Sequence, residues 1–173
     1  MDNISFFENQ FIKADTLISE GNVSEAKAVL EEILAECPDF GKAHNHLGWI
    51  YCMRLSNYEK AEYHYKLAIK FDPKYPAPYI NYTYLLVDLA RFAEAKEFIL
   101  DVMENLEGID KSSYLSELGR ISEFEANYIQ AYQYYKKSLV LAFNPTFIDN
   151  MKTNMARVKD KMSTFEKLKL NFI

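Results

Sequence analysis

An all-α fold, a stack of about four helix-turn-helix repeats closed by a C-terminal helix, is predicted by three observations. First, Ala26, Ala61, Ala95 and Ala131 recur at spacings of 35, 34 and 36 residues within closely similar local sequences. A fixed period of this size marks a repeat architecture, in which one supersecondary unit is copied and stacked. Second, only five glycines and five prolines interrupt the 173 residues, leaving long stretches rich in Ala, Leu, Glu, Lys and Tyr that suit helices better than short strands. Third, a hydrophobic content of 49% supplies a substantial core and excludes a disordered chain.

The elements follow from the repeated sentence. Its four versions are Gly21-Asn22-Val23-Ser24-Glu25-Ala26, Ser56-Asn57-Tyr58-Glu59-Lys60-Ala61, Ala90-Arg91-Phe92-Ala93-Glu94-Ala95 and Ala126-Asn127-Tyr128-Ile129-Gln130-Ala131. A small or polar pair makes the turn, an apolar residue staples it, and the alanine lies at the start of the second helix. Four residues after each alanine stands Leu30, Tyr65, Ile99 or Tyr135, and three further on Ile33, Ala68, Val102 or Ser138. The i, i+4, i+7 spacing places them on one helical face. Upstream, Leu47-Gly48 with Tyr51, and Leu118-Gly119, put a glycine where the two helices of a repeat must approach closely. Pro38 and Pro73 close the first two repeats, because proline lacks an N–H and restricts the residue before it. The predicted organisation is a segment 1–6, repeats at 7–40, 41–75, 76–111 and 112–145, and a terminal helix with its tail over 146–173.

These residues resemble the tetratricopeptide repeat (TPR) family, whose pattern runs aromatic, Leu-Gly, Tyr, Ala, aromatic, Pro over about 34 residues. The second repeat carries Leu47, Gly48, Tyr51, Ala61, Tyr65, Ala68 and Pro73, with His44 where the pattern has Trp and one extra residue in its turn. Departures elsewhere are Lys13 for Leu in the first repeat, Tyr82-Thr83 for Leu-Gly in the third, and the missing closing prolines of the last two. The resemblance implies a right-handed superhelical solenoid that works as a protein–protein interaction scaffold or adaptor, not an enzyme and without a cofactor. It also implies that the first helix of each pair lines a concave groove for a peptide or helix of a partner.

By the same resemblance, the second, fifth, ninth and twelfth positions of each repeat face that groove. They are Phe11 and Asp15 in the first repeat, and Lys42, Asn45, Trp49 and Cys52 in the second. The third supplies Ala77, Ile80, Tyr84 and Val87, and the fourth Ser113, Ser116, Arg120 and Glu123. The candidate contacts are apolar Trp49, Ile80, Tyr84 and Val87 with polar Asn45, Asn81 and Arg120, an apolar centre with a polar rim. Trp49 and Tyr84 could equally pack against neighbouring helices, since aromatics serve as anchors and as core. Some members of the family clamp a C-terminal carboxylate with Lys, Asn and Arg from three repeats. Here Asn81 matches, but Asn45, Trp49, Ser113 and Glu117 do not, and an acidic Glu117 would repel a carboxylate.

Charge excludes one partner class. The net charge of −5 argues against nucleic acid, and several of the thirteen tyrosines sit on repeat positions, where they read as core. The balance is uneven, because residues 146–173 carry six Lys or Arg against three Asp or Glu. No stretch approaches the apolar length of a membrane span, and no signal peptide precedes the repeats. With Cys37 and Cys52 read as reduced packing thiols, the predicted compartment is the cytoplasm. His44 and His46, two apart on a helix, point in different directions, and neither they nor His64 have metal-ligand spacing.

The terminal helix carries Phe147, Met151, Met155, Val158, Met162 and Phe165 at spacings of three and four, an apolar face about five turns long. One reading is a cap over the fourth repeat, since a stack of repeats ends in an open apolar edge. A second is a basic, Met-rich element for a partner or membrane surface. A third is a structural subunit that forms a homo-oligomer, or joins a larger complex, through this helix.

Overall fold

The computed structural model describes residues 3–172 as helices and their connections. Met1 and Asp2, at the start of the predicted 1–6 segment, and Ile173, at the end of the predicted tail, lie outside the described residues. Among the described residues ten α-helices follow one another: α1 (Asn3–Ser19), α2 (Val23–Glu36), α3 (Gly41–Met53), α4 (Tyr58–Phe71), α5 (Ala77–Asp88), α6 (Phe92–Asn105), α7 (Lys111–Phe124), α8 (Tyr128–Leu141), α9 (Pro145–Lys161) and α10 (Thr164–Lys169). A short 3-10 turn, Leu170–Phe172, ends the described chain. The chain divides into two compact units, one through Leu85 and the other from Leu86 onward.

The turns inside the repeats share one backbone design. The first residue of each predicted turn pair has positive φ: Gly21 at 84°, Ser56 at 49°, Ala90 at 55° and Ala126 at 58°. In three of them the next N–H reaches back to a carbonyl five residues earlier, Asn22 to Leu17, Arg91 to Leu86 and Asn127 to Ser122, at 2.8–2.9 Å. Gly21, Ala90 and Ala126 also bond to the carbonyl three residues before, which completes a Schellman closure of the helix. In the second repeat Asn57 reaches Tyr51, six residues back, so the extra residue of that turn is absorbed in the closing ring.

Between repeats the stops differ. Cys37 and Asp72 leave the α region, with φ near −134° and −133° and ψ near 79° and 75°, as the following proline favours. The third repeat, lacking that proline, ends at Leu106 in extended conformation, and Gly108 at φ 73° carries the chain towards Asp110. Asp110 then caps α7 by accepting from the Ser112 N–H at 3.0 Å. α1 already runs from Asn3, within the predicted 1–6 segment, and the boundaries at 111/112 and 145/146 fall one residue inside α7 and α9.

The predicted faces form the cores. In the first unit Ala26, Leu30 and Ile33 of α2 and Ala61, Tyr65 and Ala68 of α4 are buried. In the second, Ala95, Ile99 and Val102 of α6 and Ala131, Tyr135 and Ser138 of α8 occupy the same register. The Ser138 hydroxyl is satisfied by donating to the Ser112 carbonyl at 2.7 Å. Gly48 and Gly119 are close-approach points: a Cβ would lie 2.6 Å from the Tyr65 ring in one case and 2.7 Å from the Tyr135 ring in the other.

The terminal helix departs from expectation. Met151, Val158 and Met162 are buried, and Met151 and Val158 cluster with Ala131 and Tyr135 while Phe147 and Met155 pack alongside, so α9 lies on α8. The predicted stripe does not continue to Phe165. Met162 turns extended, at φ −70° and ψ 142°, and Ser163 starts α10 with a reciprocal cap to Glu166. The chain changes direction there, and Phe165 is left 66% exposed.

A candidate protein-interaction face

In the first unit the leading helices of successive repeats are tied by polar contacts. The Lys42 ammonium of α3 donates to Glu8 of α1 at 2.8 Å, and His46 meets the Asp15 carboxylate at 3.1 Å. From α3 to α5, Asn81 Nδ2 donates to Asn45 Oδ1 at 3.0 Å. Asn45 is buried, and its amide fixes where α5 lies against α3.

The aromatic candidates stand around this amide pair. Trp49 follows Asn45 by four residues and Tyr84 follows Asn81 by three, so each lies about one turn further along the same side of its helix. Trp49 and Ile80 are half-buried and Tyr84 is 37% exposed. The Arg54 guanidinium lies over the indole, 5.4 Å from its centroid, which leaves the tryptophan as a partly covered apolar surface beside a cation. Asn45, Trp49, Ile80, Asn81 and Tyr84 thus belong to one unit and two adjacent helices.

The remaining two candidates belong to the second unit and behave differently. Val87, expected as an apolar contact, is 2% exposed and has no surface to offer a partner. Arg120, expected as a free polar contact, is committed: it donates to Glu117 at 2.9 Å and also to Asp88. Burial pushes the Glu117 carboxyl up to about 7, against the pull of Arg120 and with the help of the nearby Asp88 charge. Glu123, the other acidic position of α7, is spent on the terminal helix. It accepts from Arg157 Nη2 at 2.7 Å, from Lys161 at 2.8 Å and from the Tyr135 hydroxyl at 3.0 Å. The Arg157 bond leads in pulling its carboxyl down to about 2. Arg120, Glu123, Phe124, Arg157 and Lys161 line a cleft of about 300 Å³. Arg157 and Lys161 were missed from sequence, although their four-residue spacing in the basic C-terminal segment was the available signal.

The histidines are structural in arrangement. His44 Nε2–H donates to the Pro38 carbonyl at 3.0 Å, so neutral His44 presents its Nδ1 lone pair to the Nδ1–H of His64 at 2.9 Å. Burial, followed by the His44 ring, lowers His64 to about 4. Among the described residues no group of three or more His, Cys, Asp or Glu is placed to hold a metal ion. Nor is any described helix long and apolar enough to cross a membrane.

Comparison with known proteins bears on residues 41–75, which match the tetratricopeptide repeat family. No curated protein matches the chain by sequence. Among solved structures, pilF of Pseudomonas aeruginosa superposes with a TM-score of 0.78 at 23% identity, covering 90% of this chain and 68% of that one. TTC0263, a thermophilic TPR protein of Thermus thermophilus, gives 0.69 at 18% identity, covering 91% and 83%. A chain of the APC/C hetero-tetramer Cut9-Hcn1 gives 0.74 at 16% identity, with 88% of this chain covering 29% of that one. Residues 41–75 are therefore a tetratricopeptide repeat, and the chain has the tetratricopeptide-repeat fold.

Proposed function

We propose that this chain is a non-catalytic protein-interaction module that holds a peptide or helix of a partner against the face formed by α3 and α5. The observation that carries this reading is the grouping of half-buried Trp49 and Ile80 with exposed Tyr84 around the Asn45–Asn81 hydrogen bond. Rigid aromatics held on helices and flanked by amides have the composition of a binding hot spot: large contact area, little side-chain freedom to lose, and polar groups to set register. Asn45 acts in this scheme as a positioning residue, and Asn81 keeps a second amide proton and its carbonyl for a ligand backbone. Repeats of this fold generally serve as protein-interaction modules, and the similar chain of Cut9-Hcn1 comes from a hetero-tetramer.

A displayed peptide library is selected on the intact protein, and selected peptides carrying a fluorophore are titrated by fluorescence anisotropy, which reads the wild type and its variants alike. The Trp49→Ala, Tyr84→Ala double variant, shown by circular dichroism to keep its helicity, should lose binding by at least about thirtyfold, the loss expected for two hot-spot side chains. Peptides that bind both proteins equally would place the site elsewhere. Loss of helicity in the double variant would make these residues core and end the assignment.

A further inference from the structure

We propose that the chain also associates head to tail with copies of itself, the C-terminal segment 164–172 of one copy seating its phenylalanines in an acidic cleft between α1 and α2 of the next. The proposal is independent of the α3/α5 face.

The receiving side is a cleft of about 220 Å³ lined by Phe6, Phe7, Gln10, Val29, Ile33 and the carboxylates of Glu32 and Glu36. A closed apolar cavity of about 150 Å³ holds a benzene ring, so the volume here admits a phenylalanine side chain. No lysine or arginine lines it among the described residues. The surrounding sequence is strongly acidic, since residues 1–40 carry nine Asp or Glu against two Lys. The cleft therefore selects an occupant that is apolar at its tip and basic behind it.

The chain carries such a segment at its other end. Phe165, Leu168 and Phe172 are 66%, 56% and 89% exposed, and their spacing of three and four residues sets them on one side of α10 and the turn that follows. Lys167 and Lys169 alternate with them, and the Lys169 ammonium lies over the Phe165 ring at 4.6 Å. The one acid of this stretch, Glu166, is consumed by the cap, accepting from the Ser163 N–H at 2.8 Å and the Ser163 hydroxyl at 2.7 Å. Three large apolar side chains displayed together on a basic element are not explained by the packing of α9, whose own stripe ends at the buried Met162. The two surfaces are complementary in charge and in apolar character. Because they are different surfaces, the contact is heterologous and propagates into open chains unless the rotation closes a ring.

Sedimentation velocity on the full chain tests this. At low ionic strength the sedimentation coefficient should rise with concentration and pass the dimer value. It should fall back in high salt, because rim charges are screened beyond about 10 Å at 0.1 M. A tail variant, Phe165→Ser with Phe172→Ser, and a cleft variant, Glu32→Lys with Glu36→Lys, should each weaken association by at least about tenfold. All four positions are exposed, and circular dichroism checks each fold. An equimolar mixture of the two variants should form a dimer and stop there, since only one productive pairing remains. A tail variant that stays monomeric beside a cleft variant that associates like wild type would mean a tail-to-tail contact and overturn the proposal. So would a wild-type chain that is monomeric throughout. In that case, binding to phosphatidylserine vesicles that the tail variant loses would assign the segment to a membrane surface instead.

Discussion

Ala90 and Ala126 hold a left-handed backbone, φ 55° and 58°, at the position where the first repeat uses Gly21. A side chain in this region costs about 1–2 kcal/mol, against about 0.5–1 kcal/mol that glycine loses in unfolded-state entropy. Ala90→Gly and Ala126→Gly should each stabilise the protein by up to about 1 kcal/mol, read as a higher urea midpoint with unchanged slope. The opposite holds at the helix crossings. Gly48→Ala or Gly119→Ala would drive a methyl into a buried tyrosine ring and should cost about 1–3 kcal/mol as overpacking. At this scale much was legible in the sequence. The alanine positions and the residues four and seven beyond them are core in every repeat, because a helix of fixed pitch turns spacing into direction. Val87 and Asn45 were not legible as buried groups, since register gives the side of a helix and not how deeply its neighbours cover it.

The terminal element shows the limit of periodicity. Phe165 continues the three-and-four spacing of the stripe, yet the chain turns at Met162 and Ser163. The Ser163-x-x-Glu166 pair was the readable signal, because a capping box marks a new helix start even where an apolar pattern runs through it. Ser163→Ala should fray α10 and cost about 1 kcal/mol. What fixes α9 was beyond sequence, as Glu123 meets Arg157 and Lys161 34 and 38 residues away. Glu123 gathers three donors, so Glu123→Ala leaves Arg157, Lys161 and the Tyr135 hydroxyl without their acceptor. The loss should be about 1–3 kcal/mol, with faster amide exchange confined first to α9. If exchange in α9 is unchanged, its apolar packing on α8 alone holds it.

Across the whole molecule two buried titrating sites act with opposite sign. His64 folds with its pKa lowered to about 4, and His44 is lowered as well, both chiefly by burial. Between about 4 and the ordinary histidine value near 6.5 the unfolded chain binds more protons, so this contribution is full above that window and is lost as pH falls through it. Protonating both rings also sets two donors face to face at Nδ1, where one must accept. Glu117, raised to about 7, binds more protons when folded over the range from its ordinary value near 4.5, so its contribution is present in acid and lost as pH rises to 7. Between pH 7.5 and 5 the two slopes oppose, and the urea midpoint of the wild type should change little. Glu117→Gln keeps an acceptor for Arg120 and removes the titration, so the variant should gain stability at pH 7.5 and lose it steeply towards pH 5. A His44→Phe, His64→Phe variant should show the reverse slope, more stable at pH 5 than at 7.5. Below pH 4 both profiles should fall together as Glu123, depressed to about 2, takes up its proton and α9 loses its ionic partners. Parallel curves for the wild type and Glu117→Gln would show that Glu117 is ionised throughout, held so by Arg120.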